Sequence, residues 1–251
     1  MQTSQTTTEA SGRKVMAILS AAAFMNLTDT SVINIAMPSI RDGFAGSGVD
    51  AEWVVASYIL AVAIGLLPFG RLGDMVGHKR LFLIGVGSFL VASLLCAFSP
   101  SPHWLIVGRV AQGLSCAMMV PQAPALSRIL FSGEARGRAL AMLSFVGGIA
   151  PIFGPMMGGY LIGADVWGSG WRSIFLLNLP FGLAALWFGL RYLPNAEKQS
   201  NQSLDLVGIG LLGGAMFATM VGLVEGRAHG WPVWSTGVGL FALTLFASFY
   251  V

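Results

Sequence analysis

The chain reads as long apolar runs separated by short polar turns. Runs of about 20 apolar residues, the length a helix needs to cross the hydrocarbon core of a bilayer, fall at 15–38, 52–70, 80–99, 103–127, 139–162, 172–193, 205–225 and 235–251. Each is predicted to be helical, because lipid offers no partner for backbone N–H and C=O groups and the runs are too continuous for barrel strands. The first run follows Arg13 and Lys14 and contains Ala21, Ala22 and Ala23, in the manner of a signal peptide. It continues past Asp29 to Ile40, longer than an h-region of about 7 to 15 residues, and is read as a retained first helix.

Composition agrees with this pattern. The chain is 55% hydrophobic and 10% charged, with a mean hydropathy of +0.74, whereas soluble domains carry roughly 25% charged residues. Its 33 Gly and 11 Pro fall mostly inside the apolar runs, as is common in membrane helices. The net charge of +3 comes from basic residues scattered between runs, so no nucleic-acid partner is expected. Cys96 and Cys116 lie within apolar runs and are read as small hydrophobes. His78, His103 and His229 stand apart at run edges and are read as interfacial residues, with no metal site and no cofactor. Gly70 to Gly77 lacks the preceding strand of a phosphate-binding loop, and no enzyme is expected.

The turns differ in charge. One set carries Arg13, Lys14, Arg71, Lys79, Arg80, Arg128, Arg136, Arg138, Arg191 and Lys198, while the other carries only Arg41, Arg172 and Arg227. Positive loops stay cytoplasmic, which predicts a multi-pass protein of the bacterial inner (plasma) membrane with a cytoplasmic N-terminus. The expected organisation is a cytoplasmic N-terminus (1–14), a six-helix bundle (15–193), a polar cytoplasmic linker (194–204) and two further transmembrane helices (205–251). The last apolar run stops without a polar flank, so the chain is expected to be the front part of a longer protein.

Two ionisable residues lie well inside the runs: Asp29 in the first and Arg109 in the fourth. A charge at the bilayer centre costs about 2.5 to 3.5 kcal/mol on insertion scales, so each should face the bundle interior with a partner or a function. At 1.5 Å per residue they lie roughly 14 Å and roughly 9 Å below the outer ends of their helices, a difference that long side chains can close. Two readings stand: a structural ion pair, or a carboxylate that exchanges a proton or meets a cationic substrate while Arg109 acts on its protonation. Gln112, three residues after Arg109, shares its helix face.

Two glycine-rich stretches complete the candidates. Gly70, Leu72, Gly73, Asp74, Gly77, His78 and Lys79 lie between the second and third runs, and their acid and bases suit either a cytoplasmic gate or a plain turn. Gly147, Gly148, Ala150, Pro151, Gly154, Pro155, Gly158 and Gly159 lie in the fifth run. Small residues four apart let helices approach closely and proline kinks a helix, which suits either a hinge or a fixed packing seam.

Taken together these residues resemble the major facilitator superfamily, and within it the fourteen-helix drug:proton antiporter branch. Gly70, Leu72, Asp74, Gly77 and Lys79 match the loop motif G-x-L-a-D-r-x-G-r-k; Arg109, Gln112 and Gly113 match R-x-x-q-G; Gly154, Pro155, Gly158 and Gly159 match G-x-x-x-G-P-x-x-G-G. The stretch from Asp29 to Pro38 resembles D-x-T-v-V-n-v-A-L-P, and that from Trp171 to Pro180 resembles W-R-w-i-F-l-i-N-v-P. Met75 and His78 depart from the loop motif, and Ala150 replaces the leading glycine of the fifth-helix motif.

The resemblance implies an all-α integral membrane fold of the major facilitator type, a six-helix N-terminal bundle with about two further helices. It implies alternating access driven by the proton gradient, with protons and an amphipathic or cationic small molecule as partners alongside membrane lipid. Asp29, Arg109 and Gln112 would serve coupling and the substrate cavity. Asp74 would act in a cytoplasmic latch, with Arg136 and Arg138 as its natural partners. A metabolite transporter on the same fold and a truncated fragment without transport activity are the alternatives.

Overall fold

The structure, a computed structural model, describes residues 2–44, 48–165, 168–194 and 205–250, with side chains over 12–44, 52–165, 168–194 and 207–248 together with Asp205. The regular elements among them are all helical: α1 (Gln2–Phe44), α2 (Gly48–Val76), α3 (His78–Ala97), α4 (Pro102–Met119), α5 (Gln122–Leu130), α6 (Gly133–Ala164), a 3₁₀ turn (Gly170–Arg172), α7 (Ser173–Leu176), α8 (Asn178–Tyr192), α9 (Leu206–Ala228) and α10 (Val233–Tyr250). Among the described residues seven stretches are long and apolar enough to cross a membrane: Gly12–Phe44, Glu52–Val76, His78–Ala97, Pro102–Leu130, Gly133–Ala164, Gly170–Tyr192 and Val207–Ala228. The eighth expected span forms α10, whose 18 residues reach about 27 Å at 1.5 Å per residue. The expected linker, 194–204, lies outside the described residues from 195 onward.

Helix ends extend beyond the apolar runs. α1 begins at Gln2 rather than at residue 15, because a helix already formed in the span continues through a polar stretch that contains no proline. Two spans are interrupted where the sequence reading had single helices. Pro121 separates α4 from α5, since its ring removes a backbone donor and crowds the carbonyl four residues earlier. Pro180 acts likewise on the sixth span, where α7 ends at Leu176 and α8 starts at Asn178.

The first six spans wrap one another. α1 packs on α6 and α8, α2 on α4, and α3 on α4 and α8. One apolar core, toward the N-terminal end of α1, gathers Leu19, Met25, Phe82, Phe89 and Leu126. A second, toward its other end, gathers Ile33, Leu105, Trp171, Ile174 and Phe175. α9 lies against α2 and carries α10, with Trp53 Nε1 donating to Glu225 Oε1 at 2.7 Å and Arg227 3.9 Å from Glu52.

The seam between α1 and α6 depends on missing side chains. Ala150, Gly154 and Gly158 recur every four residues and are buried. A Cβ on Gly154 would stand 2.9 Å from the Thr28 carbonyl oxygen and collide with Ser31 Oγ, and one on Gly158 would collide with Val32 Cγ2. Gly147, Gly148 and Gly159 face open space, so Gly159 lies off the seam that the sequence pattern assigned to it; one helical position, about 100°, carries it away from α1. Ala150 fits the seam with no exposure.

The seam makes a contrast testable. Gly154→Leu, which meets backbone, should lower the melting midpoint of the detergent-solubilised protein by several degrees, in keeping with overpacking costs of about 1 to 3 kcal/mol. Gly159→Leu should leave it unchanged. Equal losses in the two variants would refute the seam.

Candidate functional site: a buried polar knot

Asp29 and Arg109 meet in the bundle interior, each only 1% exposed, with Arg109 donating to Asp29 Oδ2 at 2.6 Å. The carboxylate has further donors. Gln112 Nε2 reaches Asp29 Oδ1 at 3.2 Å, and Asn178 Nδ2 reaches the same oxygen at 2.7 Å. Placement follows from local structure: Gln112 sits one turn after Arg109 on α4, and the break before Pro180 sets Asn178 at the first turn of α8, where its side chain is buried.

A second layer satisfies the first. Arg109 donates through Nε to the Val54 carbonyl at 3.2 Å and through Nη1 to Gln112 Oε1 at 2.9 Å. Its guanidinium carbon lies 4.2 Å from the centroid of the Tyr58 ring and 5.9 Å from that of Phe175, within cation–π range. Ser93 Oγ on α3 accepts from Gln112 at 2.9 Å and from Asn178 at 3.3 Å, and Cys96 Sγ donates to Gln112 Oε1 at 3.3 Å. Beside it, Tyr58 donates to Asn26 Oδ1 at 2.6 Å, an oxygen that also accepts from Cys116 at 3.0 Å. The knot therefore joins α1, α2, α3, α4 and α8 through one carboxylate.

The second candidate lies at the turn between α2 and α3. Gly77 adopts φ 101°, a conformation open mainly to glycine, and lets α3 start one residue after α2 ends. Gln122, fully buried at the start of α5, donates to the Phe69 carbonyl at 2.9 Å and accepts from His78 Nδ1 at 2.7 Å. His78 Nε2 stands 3.3 Å from Asp74 Oδ1. Gly73 lets this happen, since a Cβ there would collide with the Gln122 amide. Gly70 lies by Pro121, Leu72 is half-buried, and Lys79 Nζ reaches the Leu190 carbonyl at 3.4 Å.

Two expectations are corrected at this turn. Among the described residues no ion pair joins Asp74 to Arg136 or Arg138, both of which are exposed; the basic partner of Asp74 is His78, four residues later. His78 itself is buried inside this network and is not an interfacial residue. The sequence reading also assigned no role to Ser93, Gln122 or Asn178. Their signal was present, as polar side chains inside apolar runs. Among the described residues no group of His, Cys, Asp and Glu could hold a metal ion.

The pieces of the third candidate do not converge on the knot. Gly154 and Gly158 hold α6 against α1 at Thr28, Ser31 and Val32, which flank Asp29 in sequence, but neither glycine enters the hydrogen bonds of the carboxylate, and Pro155 is half-buried beside them.

Known proteins resemble this chain in sequence and fold. The family model described as Major Facilitator Superfamily matches residues 19–251. The chain is 35% identical over 220 residues to a "Probable actinorhodin transporter" of Streptomyces coelicolor, an alignment covering 88% of this chain and 38% of that protein. It is 39% identical over 204 residues to the "Tetracenomycin C resistance and export protein" of Streptomyces glaucescens, covering 81% of this chain and 37% of that protein. The chain thus spans about two-fifths of the length of these relatives. Among solved structures, a bacterial homolog of the human lysosomal transporter Spinster superposes with a TM-score of 0.63 at 19% identity, over 92% of this chain and 59% of that one.

The knot predicts non-additive stability. Removing one partner of a buried ion pair typically costs about 3 to 5 kcal/mol, largely because the other charge is stranded. Arg109→Gln should lower the melting midpoint more than Asp29→Asn combined with Arg109→Gln, so that the second substitution restores part of the loss. Additive losses in this double-mutant cycle would show that the two charges do not act as a pair.

Proposed function

The chain belongs to the Major Facilitator Superfamily, and from that premise we propose that it supplies the coupling centre of a proton-driven exporter of amphipathic, cationic or aromatic compounds. The observation that carries this reading is the single carboxylate of Asp29 receiving N–H donors from Arg109, Gln112 and Asn178. An ionised carboxylate is acceptor only and suits three donors, whereas a protonated one carries an O–H of its own and must turn it away from them. Proton uptake thus cancels the charge that holds Arg109 and loosens α1 from α4 and α8 together. Proton release draws them back.

In this cycle Arg109 is the counter-charge, and Gln112 and Asn178 are positioning residues that fix the carboxylate's two oxygens. The turn holding Gly70, Leu72, Asp74, Gly77 and Lys79 is a latch on the cytoplasmic side, closed by Gln122 and His78. The α1–α6 seam at Gly154 and Gly158 is smooth enough for the helices to shift along each other. The bias of Lys and Arg toward the N-terminal end of α1 supports a cytoplasmic N-terminus in a bacterial inner membrane. Relatives that are named for antibiotic export support the class of compound.

Inverted membrane vesicles carrying the full reading frame provide the test. Proton-driven dye efflux should fall at least 10-fold in Asp29→Asn, while exchange of dye at zero gradient persists, because the cavity remains and only the coupling proton is lost. Dye efflux that stays normal in the variant would remove Asp29 from coupling. A full reading frame that moves no dye at all would remove the drug substrate instead.

A further inference from the structure

Away from the knot, α1 and α8 leave a groove of about 350 Å³ at their basic ends. Four small side chains hollow it, Ala17 and Ala21 on one helix and Ala184 and Ala185 on the other. Phe188 and Tyr192 form its wall, with ring planes 21° apart and centroids separated by 6.1 Å. The floor offers almost no polar atom, which excludes a soluble polar ligand from its length. At the mouth the chemistry changes. Lys14 Nζ sits 4.5 Å from the centroid of the Tyr192 ring, and Lys79 is drawn to the same end of α8 by the Leu190 carbonyl. Arg13 precedes Lys14 in sequence and Arg191 precedes Tyr192, and among the described residues none of these four cations forms an ion pair.

We propose that this groove binds one anionic glycerophospholipid, with an acyl chain along the alanine floor and the phosphate at Lys14. An elongated apolar slot inside the membrane matches an acyl chain. The Lys14 ammonium, where that slot meets the headgroup region, matches an anionic phosphate. Lys14 is suited to the contact because its ammonium is held over an aromatic face, with the aliphatic stem along the groove. A zwitterionic lipid would fill the slot but would place a choline beside the Lys14 ammonium. The lipid bridges α1 and α8, the same two helices that Asp29 and Asn178 join deeper in the membrane.

The test uses the full-length protein, purified in detergent, stripped of lipid and titrated with dioleoyl phosphatidylglycerol or dioleoyl phosphatidylcholine under native mass spectrometry. One phosphatidylglycerol should be retained at a concentration at least 10-fold lower than phosphatidylcholine requires. Lys14→Gln should bring the two lipids to within 3-fold of each other, and Ala17→Phe, at the exposed rim, should weaken both. Arg41→Gln, at the far end of α1, should change neither. A monodisperse elution profile checks that each variant is folded. Equal retention of the two lipids, or equal weakening by Lys14→Gln and Arg41→Gln, would overturn the site in favour of unspecific surface attraction. So would release of phosphatidylglycerol by millimolar inorganic phosphate, which would assign the cations to a free anion.

Discussion

Everything in the first six spans is arranged around the cost of holding a charge away from water. An isolated carboxylate or guanidinium in low dielectric is paid for only when a partner and further hydrogen bonds satisfy it. Asp29 and Arg109 meet that condition with little to spare: the cation reaches a carboxylate, an amide oxygen and a backbone carbonyl, and lies against two aromatic rings. Those partners come from α1, α2 and α4, with Phe175 from α7, and the carboxylate adds Asn178 from α8. Satisfying one charge fixes the mutual rotation of most of the bundle.

The fold was legible because lipid simplifies the code. Apolar runs of spanning length have one regular solution, and the seven described spans follow the runs. Asp29, Arg109 and Gln112 could be read as a group because charge inside such a run has to be answered by something. Asn178 and Ser93 could not, since polar residues without charge are tolerated at many places in a bundle, and their choice of partner is made by the break before Pro180 and by the rotation of α3. The same limit explains Asp74. Opposite charges in turns assigned to the same side of the membrane made Arg136 and Arg138 plausible partners, but an i,i+4 neighbour, His78, is the residue that pairs with Asp74. The glycine pattern in α6 identified a seam but over-counted it, because only positions repeating every four residues return to the face of α1.

α6 shows how one helix divides its duties. Its narrow face of Ala150, Gly154 and Gly158 gives close backbone approach, which in lipid substitutes for the hydrophobic drive that soluble helices use. Its other face presents Ile152, Met156 and Tyr160, all more than 60% exposed. Shape complementarity on one side therefore coexists with plain hydrophobicity on the other, and the two sides place independent demands on the sequence.

The contact between Trp53 and Glu225 has a mechanical consequence. It fastens the end of α9 to the start of α2, while Gly213 lets the middle of α9 approach Ile64. Anchored at two heights, the α9–α10 hairpin takes its tilt from α2, the same helix whose Val54 carbonyl, next to Trp53, accepts from Arg109.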